Sequence, residues 1–200
     1  MKGIKKLVGA YVAVIATAAL AVTSFAADYA VVPVFGGDTS TTVSVTTDTV
    51  TSAIDSAVAV DTSAADSADA KVATVEVKSV AQLTLNPSIL KKLDKTEDTV
   101  LKIVSPKATV SIDSSKVTKA RKVDLSMKMS NSSKKTVIKM RSRKDFGCEV
   151  KITVTSCKLS AAKLKTAHVY CNGEDLGPVE LDENGLPVIT VTKGGTYEIK

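Results

Sequence analysis

The chain has 200 residues, 44% of them hydrophobic, enough for one ordinary domain and a tail. Aromatic residues make up 4% and Trp is absent, which argues against stacking platforms for sugars or single-stranded nucleic acid. The formal net charge is +6, and its distribution says more than its total. Residues 27–70 hold seven aspartates and no Lys, Arg or Glu, whereas residues 71–200 hold 24 Lys plus Arg against 14 Asp plus Glu, a net of +10. An acidic stretch joined to a basic domain is the pattern of a domain that meets acidic partners, or of a tail resting on its own domain.

The N-terminus reads as a targeting segment. Met1-Lys2-Gly3-Ile4-Lys5-Lys6 carries three lysines and no acid, and an uncharged apolar stretch runs from Leu7 to about Val22. Ser24 and Ala26 fit the small-residue pockets of a signal peptidase, so cleavage is expected after Ala26. A spanning helix needs roughly 20 apolar residues, more than this stretch supplies. Residues 1–26 are thus expected to be a signal peptide, the protein to be secreted or extracellular, and no membrane span to remain after cleavage. No Leu-x-x-Cys sequence offers a lipid-bearing cysteine.

Residues 27–70 come next. From 38 to 70 the chain is built from Asp, Thr, Ser, Ala and Val with a single Ile, and it has no Leu or aromatic residue for a core. Such a composition predicts a flexible, acidic, disordered linker, rich enough in Ser and Thr for O-glycosylation. The more apolar segment DYAVVPVFGG, from Asp28 to Gly37, could dock back onto the domain.

From Lys71 onward apolar and polar residues alternate with the period of half-buried strands. Leu125, Met127 and Met129 form one such set; Ile138 and Met140 form another, and Val150, Ile152 and Val154 a third. Weaker alternation occurs at Ala81-Leu83-Leu85, Val110-Ile112 and Ala167-Val169-Cys171. At the C-terminus, Val188–Val191 and Thr196–Ile199 read as strands about a Lys193-Gly194-Gly195 turn, and Asn172-Gly173 and Asn184-Gly185 as hairpin turns. Asn86-Pro87 opens a short helix through Leu93, and a second helical turn fits Ser160 to Leu164. Residues 71–200 are therefore expected to form a basic, mainly β domain, an antiparallel β-sandwich of about ten strands with one or two short helices.

Three segments carry a resemblance: NPSILKKL with the following TVLKIVSPKATVSID; VDLSMKMSN; and the ending HVYCNGEDLGPVELDENGLPVITVTKGGTYEIK. Together they resemble a β-rich C-terminal module of secreted and cell-surface proteins of Gram-positive anaerobic bacteria, over roughly the final 120 residues. That resemblance implies a module that accompanies other domains and has no agreed activity.

Candidate chemistry is sparse. His168 is the only histidine, which falls short of the four-ligand cluster of a structural zinc, and no nucleophile or orienting acid stands near it in sequence. It reads as a surface strand residue. Cys148 and Cys157 are nine positions apart in what reads as one strand, ~30 Å along it and too far for a bond. Any disulfide must therefore use Cys171, with Cys157–Cys171 the favoured pair; three buried thiols are the alternative. Adjacent carboxylates at Glu97-Asp98 and Asp182-Glu183 sit on turn-like segments and do not face each other across a cleft, as glycoside hydrolysis demands. No motif for a metal or cofactor is present.

The strongest feature is cationic. Lys134, Lys135, Lys139, Arg141, Arg143 and Lys144 fall within eleven residues, and alternation places Lys139, Arg141 and Arg143 in a row on one strand face. Such a row either binds a polyanion or is a solvated face guarding an edge strand. The expectation is a non-catalytic binding module whose partner is cell wall, an anionic polysaccharide or another surface protein. A structural spacer or assembly subunit is the second reading, and an extracellular hydrolase the third.

Overall fold

Alternating residues do fold as strands in the computed structural model, which describes residues 47–61 and 71–200. The expected signal peptide and the rest of the expected linker, 27–46 and 62–70, lie outside the described residues. The elements in chain order are α1 (Thr47–Asp61), β1 (Lys71–Glu76), β2 (Thr84–Leu85), α2 (Pro87–Asp94), β3 (Thr99–Val104) and β4 (Thr109–Asp113). There follow β5 (Val123–Asp124), β6 (Met127–Asn131), β7 (Thr136–Met140), β8 (Asp145–Thr153) and α3 (Ala161–Leu164). The last five are β9 (His168–Cys171), β10 (Glu174–Pro178), β11 (Glu180–Leu181), β12 (Pro187–Lys193) and β13 (Thr196–Ile199).

The fold is mainly β and sandwich-like. One sheet has six strands in the order β1-β3-β4-β8-β12-β11, and the other has five in the order β10-β9-β13-β7-β6. A two-stranded β2-β5 ribbon accompanies them. Inward residues of both sheets, such as Leu101, Val110, Ile152, Ile138 and Ile199, belong to one buried cluster. The sheets are antiparallel except that β1 runs parallel to β3. Parallel neighbours need a long crossover, and the connection through β2 and α2 supplies it.

The chain changes sheets where the sequence suggests simple turns. Lys193-Gly194-Gly195 is not a hairpin: β12 belongs to the six-stranded sheet and β13 to the five-stranded one. The β7–β8 connection makes the same transfer in the opposite direction, and the two corners touch. A Cβ added to Gly194 would lie 1.8 Å from the Ser142 carbonyl oxygen, so only glycine fits this crossing. Gly194 N–H donates to the Lys144 carbonyl at 3.1 Å, and Met140 N–H to the Gly195 carbonyl at 2.9 Å. Of the two expected hairpin turns, Asn172-Gly173 joins β9 to β10 with both residues at positive φ, +52° and +96°. Asn184-Gly185 has only Gly185 in that region, because the Asp182 carboxylate organises the loop by accepting from the Asn184 and Leu186 N–H groups.

The flexible-linker expectation fails over residues 47–61, which form α1. Composition concealed a stripe: Val50, Ala53, Ile54 and Ala57 recur at helical spacing on one face, and Val50 and Ile54 are fully buried. They share the core with Ile89, Leu90 and Leu93 of α2. Two polar contacts join the helices: Asn86 Nδ2 donates to Thr47 Oγ1 at 2.8 Å, and Lys92 pairs with Asp55. Asn86 thus stands at the N-cap of α2 but spends its side chain on α1. The predicted second helical turn is α3, where the Ser160 hydroxyl caps by accepting from Lys163 N–H.

Candidate anion-binding surface

The β6–β7 hairpin organises the cations. Its register sets Lys128 opposite Lys139 and Ser130 opposite Val137, while Thr136, Ile138 and Met140 point into the core. Ser132 shapes the turn: its hydroxyl accepts from the Lys134 and Lys135 N–H groups and donates to the Lys135 carbonyl. The Lys163 ammonium on α3 closes on the Ser133 carbonyl at 2.6 Å and adds another positive charge beside the turn.

The expected row of Lys139, Arg141 and Arg143 is not one strand face. β7 ends at Met140, and Arg141 to Lys144 form the corner that leads to β8. Lys139 keeps its outward position, its strand partner is Lys128, and Arg141, Arg143 and Lys144 are exposed at the corner below. Among the described residues, none of Lys128, Lys134, Lys139, Arg141, Arg143 or Lys144 lies within ion-pair distance of a carboxylate. Lys135 differs from its neighbours. It pairs with Glu198 of β13 at 3.0 Å, and Lys200 reaches the same carboxylate at 3.4 Å. The Lys135 hydrogen bond is the chief cause that holds the Glu198 carboxyl below its ordinary range. Lys200 also lies 4.3 Å above the centre of the Tyr170 ring.

Lys128 is the residue missed from sequence. The alternation of Met127, Lys128 and Met129 put it on an outward face, but only the register of the hairpin sets it against Lys139.

His168 has the orienting acid that chain order concealed. Its Nδ1 lies 2.9 and 3.1 Å from the two carboxylate oxygens of Asp175, across the β9–β10 hairpin. Asp175 is registered with Tyr170, two residues from His168 on the same face, so the Asn172-Gly173 turn was the available signal. The Gly177 N–H, donating to Asp175 at 2.8 Å, is the leading cause that lowers the Asp175 carboxyl, with His168 contributing. The pair sits on an outer sheet face, and Cys171, the nucleophile type nearest in the strand, is buried on the other side beside Tyr197. Tyr197 of that inward pair is tightly held: its hydroxyl donates to the Lys193 carbonyl at 2.7 Å, and burial with the neighbouring Cys171 raises the phenol above its ordinary range.

The expected Cys157–Cys171 bond is absent, and Cys148, Cys157 and Cys171 are free thiols. Cys157 lies beyond the end of β8, with its sulfur 3.5 Å from the Thr136 hydroxyl at the start of β7. Cys171 is registered with Tyr197 of β13, and Thr136 with Ile199. The two thiols therefore flank β13 from opposite sides, about two strand spacings of ~4.8 Å apart and offset along the strands, beyond disulfide reach. Cys148 is buried, as its alternation with Val150 and Ile152 predicts.

The carboxylate pairs Glu97-Asp98 and Asp182-Glu183 both lie in turns. A shallow depression of about 260 Å³ on the outer face of the six-stranded sheet brings Asp113 and Glu149 near Lys102, Lys116 and Lys151. Asp113 is engaged there in capping Ser115 through both its N–H and its hydroxyl. No group of three metal-ligating side chains occurs among the described residues, and no described helix is long and apolar enough to cross a membrane. Comparison of the chain with family models, with curated proteins and with solved structures returned no match.

Proposed function

We propose that this protein is a secreted or surface-associated, non-catalytic β module that binds an anionic polymer through Lys128, Lys134, Lys139, Arg141, Arg143 and Lys144. One observation carries the reading. Lys128 and Lys139 stand directly opposite each other, an arrangement that destabilises a strand pair, with no carboxylate among the described residues to relieve it. A polyanion satisfies both ammonium groups together and releases its own counterions on binding. The partner class is cell-wall polymer or another anionic polysaccharide. Export is supported by the lysine-rich start, the apolar run to Val22 and the small residues Ser24 and Ala26.

The test is retention of the purified protein on isolated cell wall and on an anionic polysaccharide resin. Retention at low ionic strength, release by salt, and loss of retention in Lys128→Gln/Lys139→Gln/Arg141→Gln are the expected results. Passage of the unaltered protein straight through both supports at low salt defeats the proposal. Export is checked separately by sequencing the N-terminus of protein recovered from the medium, expected at Ala27.

A further inference from the structure

The five-stranded sheet carries opposite charge at its two sides. β7 and β6 end its strand order on one side, and β10 ends it on the other, four strand spacings or ~19 Å from β6. From Asn172 to Thr192 the chain has five carboxylates, Glu174, Asp175, Glu180, Asp182 and Glu183, and no Lys or Arg. Asp175 and Asp182 are occupied by His168 and by loop N–H groups. Glu174, Glu180 and Glu183 are exposed, and among the described residues no cation lies within ion-pair distance of them.

Apolar surface accompanies these acids. Leu176 is 52% exposed and Leu181 42% exposed, two of only three large hydrophobic side chains left open to this degree among the described residues. β10 passes through Val179 directly into β11, the edge strand of the six-stranded sheet, so Leu176 and Leu181 belong to one lateral edge of the sandwich. Backbone pairing is not what this edge offers: the register shifts between Asp175 and Gly177, and Pro178 ends the strand. A bulge and a proline blunt an edge against added strands, so recognition here is by side chains.

We propose that copies of this chain associate head to tail, the acidic Leu176–Leu181 edge of one seating on the basic hairpin and corner of the next. The occupant of the acidic edge is a second copy because the complementary surface is on the same molecule: among the described residues, Lys128, Lys139, Arg141 and Arg143 have no ion-pair partner on one side, and Glu174, Glu180 and Glu183 have none on the other. Burial of the two leucines contributes the apolar part and the charges set the orientation. The contact is heterologous, so each added copy leaves one acidic edge and one basic corner open, and assembly continues. This inference shares the basic corner with the anion-binding reading but rests independently on the acidic edge. A bound polyanion and a second copy compete for the corner.

Sedimentation velocity of the whole purified protein over a range of concentrations tests it, at low ionic strength, where the Debye length is about 30 Å, and at physiological salt, where it is about 8 Å. The expected result is a weight-average mass that at least doubles with concentration at low salt and falls back in high salt. Glu174→Lys/Glu180→Lys and Arg141→Glu/Arg143→Glu should each be monomeric, and their mixture should associate, because the second variant's acidic edge meets the first variant's basic corner and the two reversed surfaces also match. All four positions are exposed, and circular dichroism identical to the parent establishes that each variant is folded. A monomer at every concentration in low salt overturns the proposal. So does association undiminished in either variant, or a mixture that stays monomeric. The acidic-edge variant keeps its basic corner, so its retention on anionic resin remains, and failure of one proposal is distinguishable from failure of the other.

Discussion

Lys128 and Lys139 face each other across the β6–β7 hairpin, two ammonium groups at one register position with no acid in ion-pair reach among the described residues. Opposite charge at such a site stabilises a strand pair by about 0.2–1 kcal/mol and like charge destabilises it. Lys139→Glu is therefore expected to raise stability in low-salt denaturant unfolding, by about 0.5 kcal/mol on that scale. The same substitution should weaken retention on an anionic polymer. Opposite signs in the two measurements identify the pair as a binding arrangement; equal retention with higher stability counts against it.

The crossing of the two corners makes a second prediction. Gly194→Ala forces its methyl group against the Ser142 carbonyl, and backbone on both sides must move. Overpacking of this kind costs about 1–3 kcal/mol, and two backbone segments place it near the upper end. Thermal unfolding should show the loss, and Gly185→Ala, at φ +74° with no atom within 4 Å of the added carbon, reports backbone strain without a clash.

Helix α1 is predicted to be part of the folded unit. Ile54 is fully buried, so Ile54→Ala should destabilise the whole domain by about 2–4 kcal/mol through lost burial and the remaining cavity. Unchanged cooperative unfolding in this variant would return residues 47–61 to the status of a tether.

The thiols should differ in reactivity and in their effect on pH stability. Cys157 is half-buried and is expected to alkylate first, while Cys148 waits for unfolding. Burial, with the negative charge of Asp145 second, pushes the Cys148 thiol from 9.0 up to about 11. The folded state thus keeps this proton where the unfolded state loses it. Its contribution is fully present below pH 9.0 and is lost as pH rises toward about 11. Denaturant unfolding across that window should show a shallower decline in Cys148→Ala than in the parent protein.

Asp175 provides the acidic counterpart. Its carboxyl is held below the ordinary value of 3.8, first by the Gly177 N–H and then by His168. A lowered value means that its stabilisation is present above pH 3.8 and is lost as pH falls through the folded-state value. The carboxyl carbon resonance should titrate below 3.8, and His168→Ala should move the midpoint upward without fully restoring it, since the Gly177 hydrogen bond persists. A midpoint unchanged by His168→Ala removes the imidazole from the account.

Much of the domain was legible before any tertiary information. Val150, Ile152 and Val154 alternate with polar neighbours and are buried; Asn86-Pro87 starts a helix; Asn172-Gly173 turns a hairpin with both residues at positive φ. These are properties of periods and of local backbone preference, which a sequence states directly. α1 was also written there, in Val50, Ala53, Ile54 and Ala57, but a stretch so poor in large apolar residues is a helix only because α2 and the sheet offer it a core.

The surface chemistry was legible as composition and not as arrangement. Sequence supplied six cations within eleven residues, the lone His168 and the three thiols. It could not tell that β7 stops at Met140, that Lys128 faces Lys139, that Asp175 meets His168, or that Cys157 and Cys171 lie on either side of β13. Strand periodicity determines which face a residue takes, and sequence carries that period. Which residues become neighbours depends on register and on where the chain leaves one sheet for the other, and those were decided by close packing at crossings such as Gly194 against Ser142.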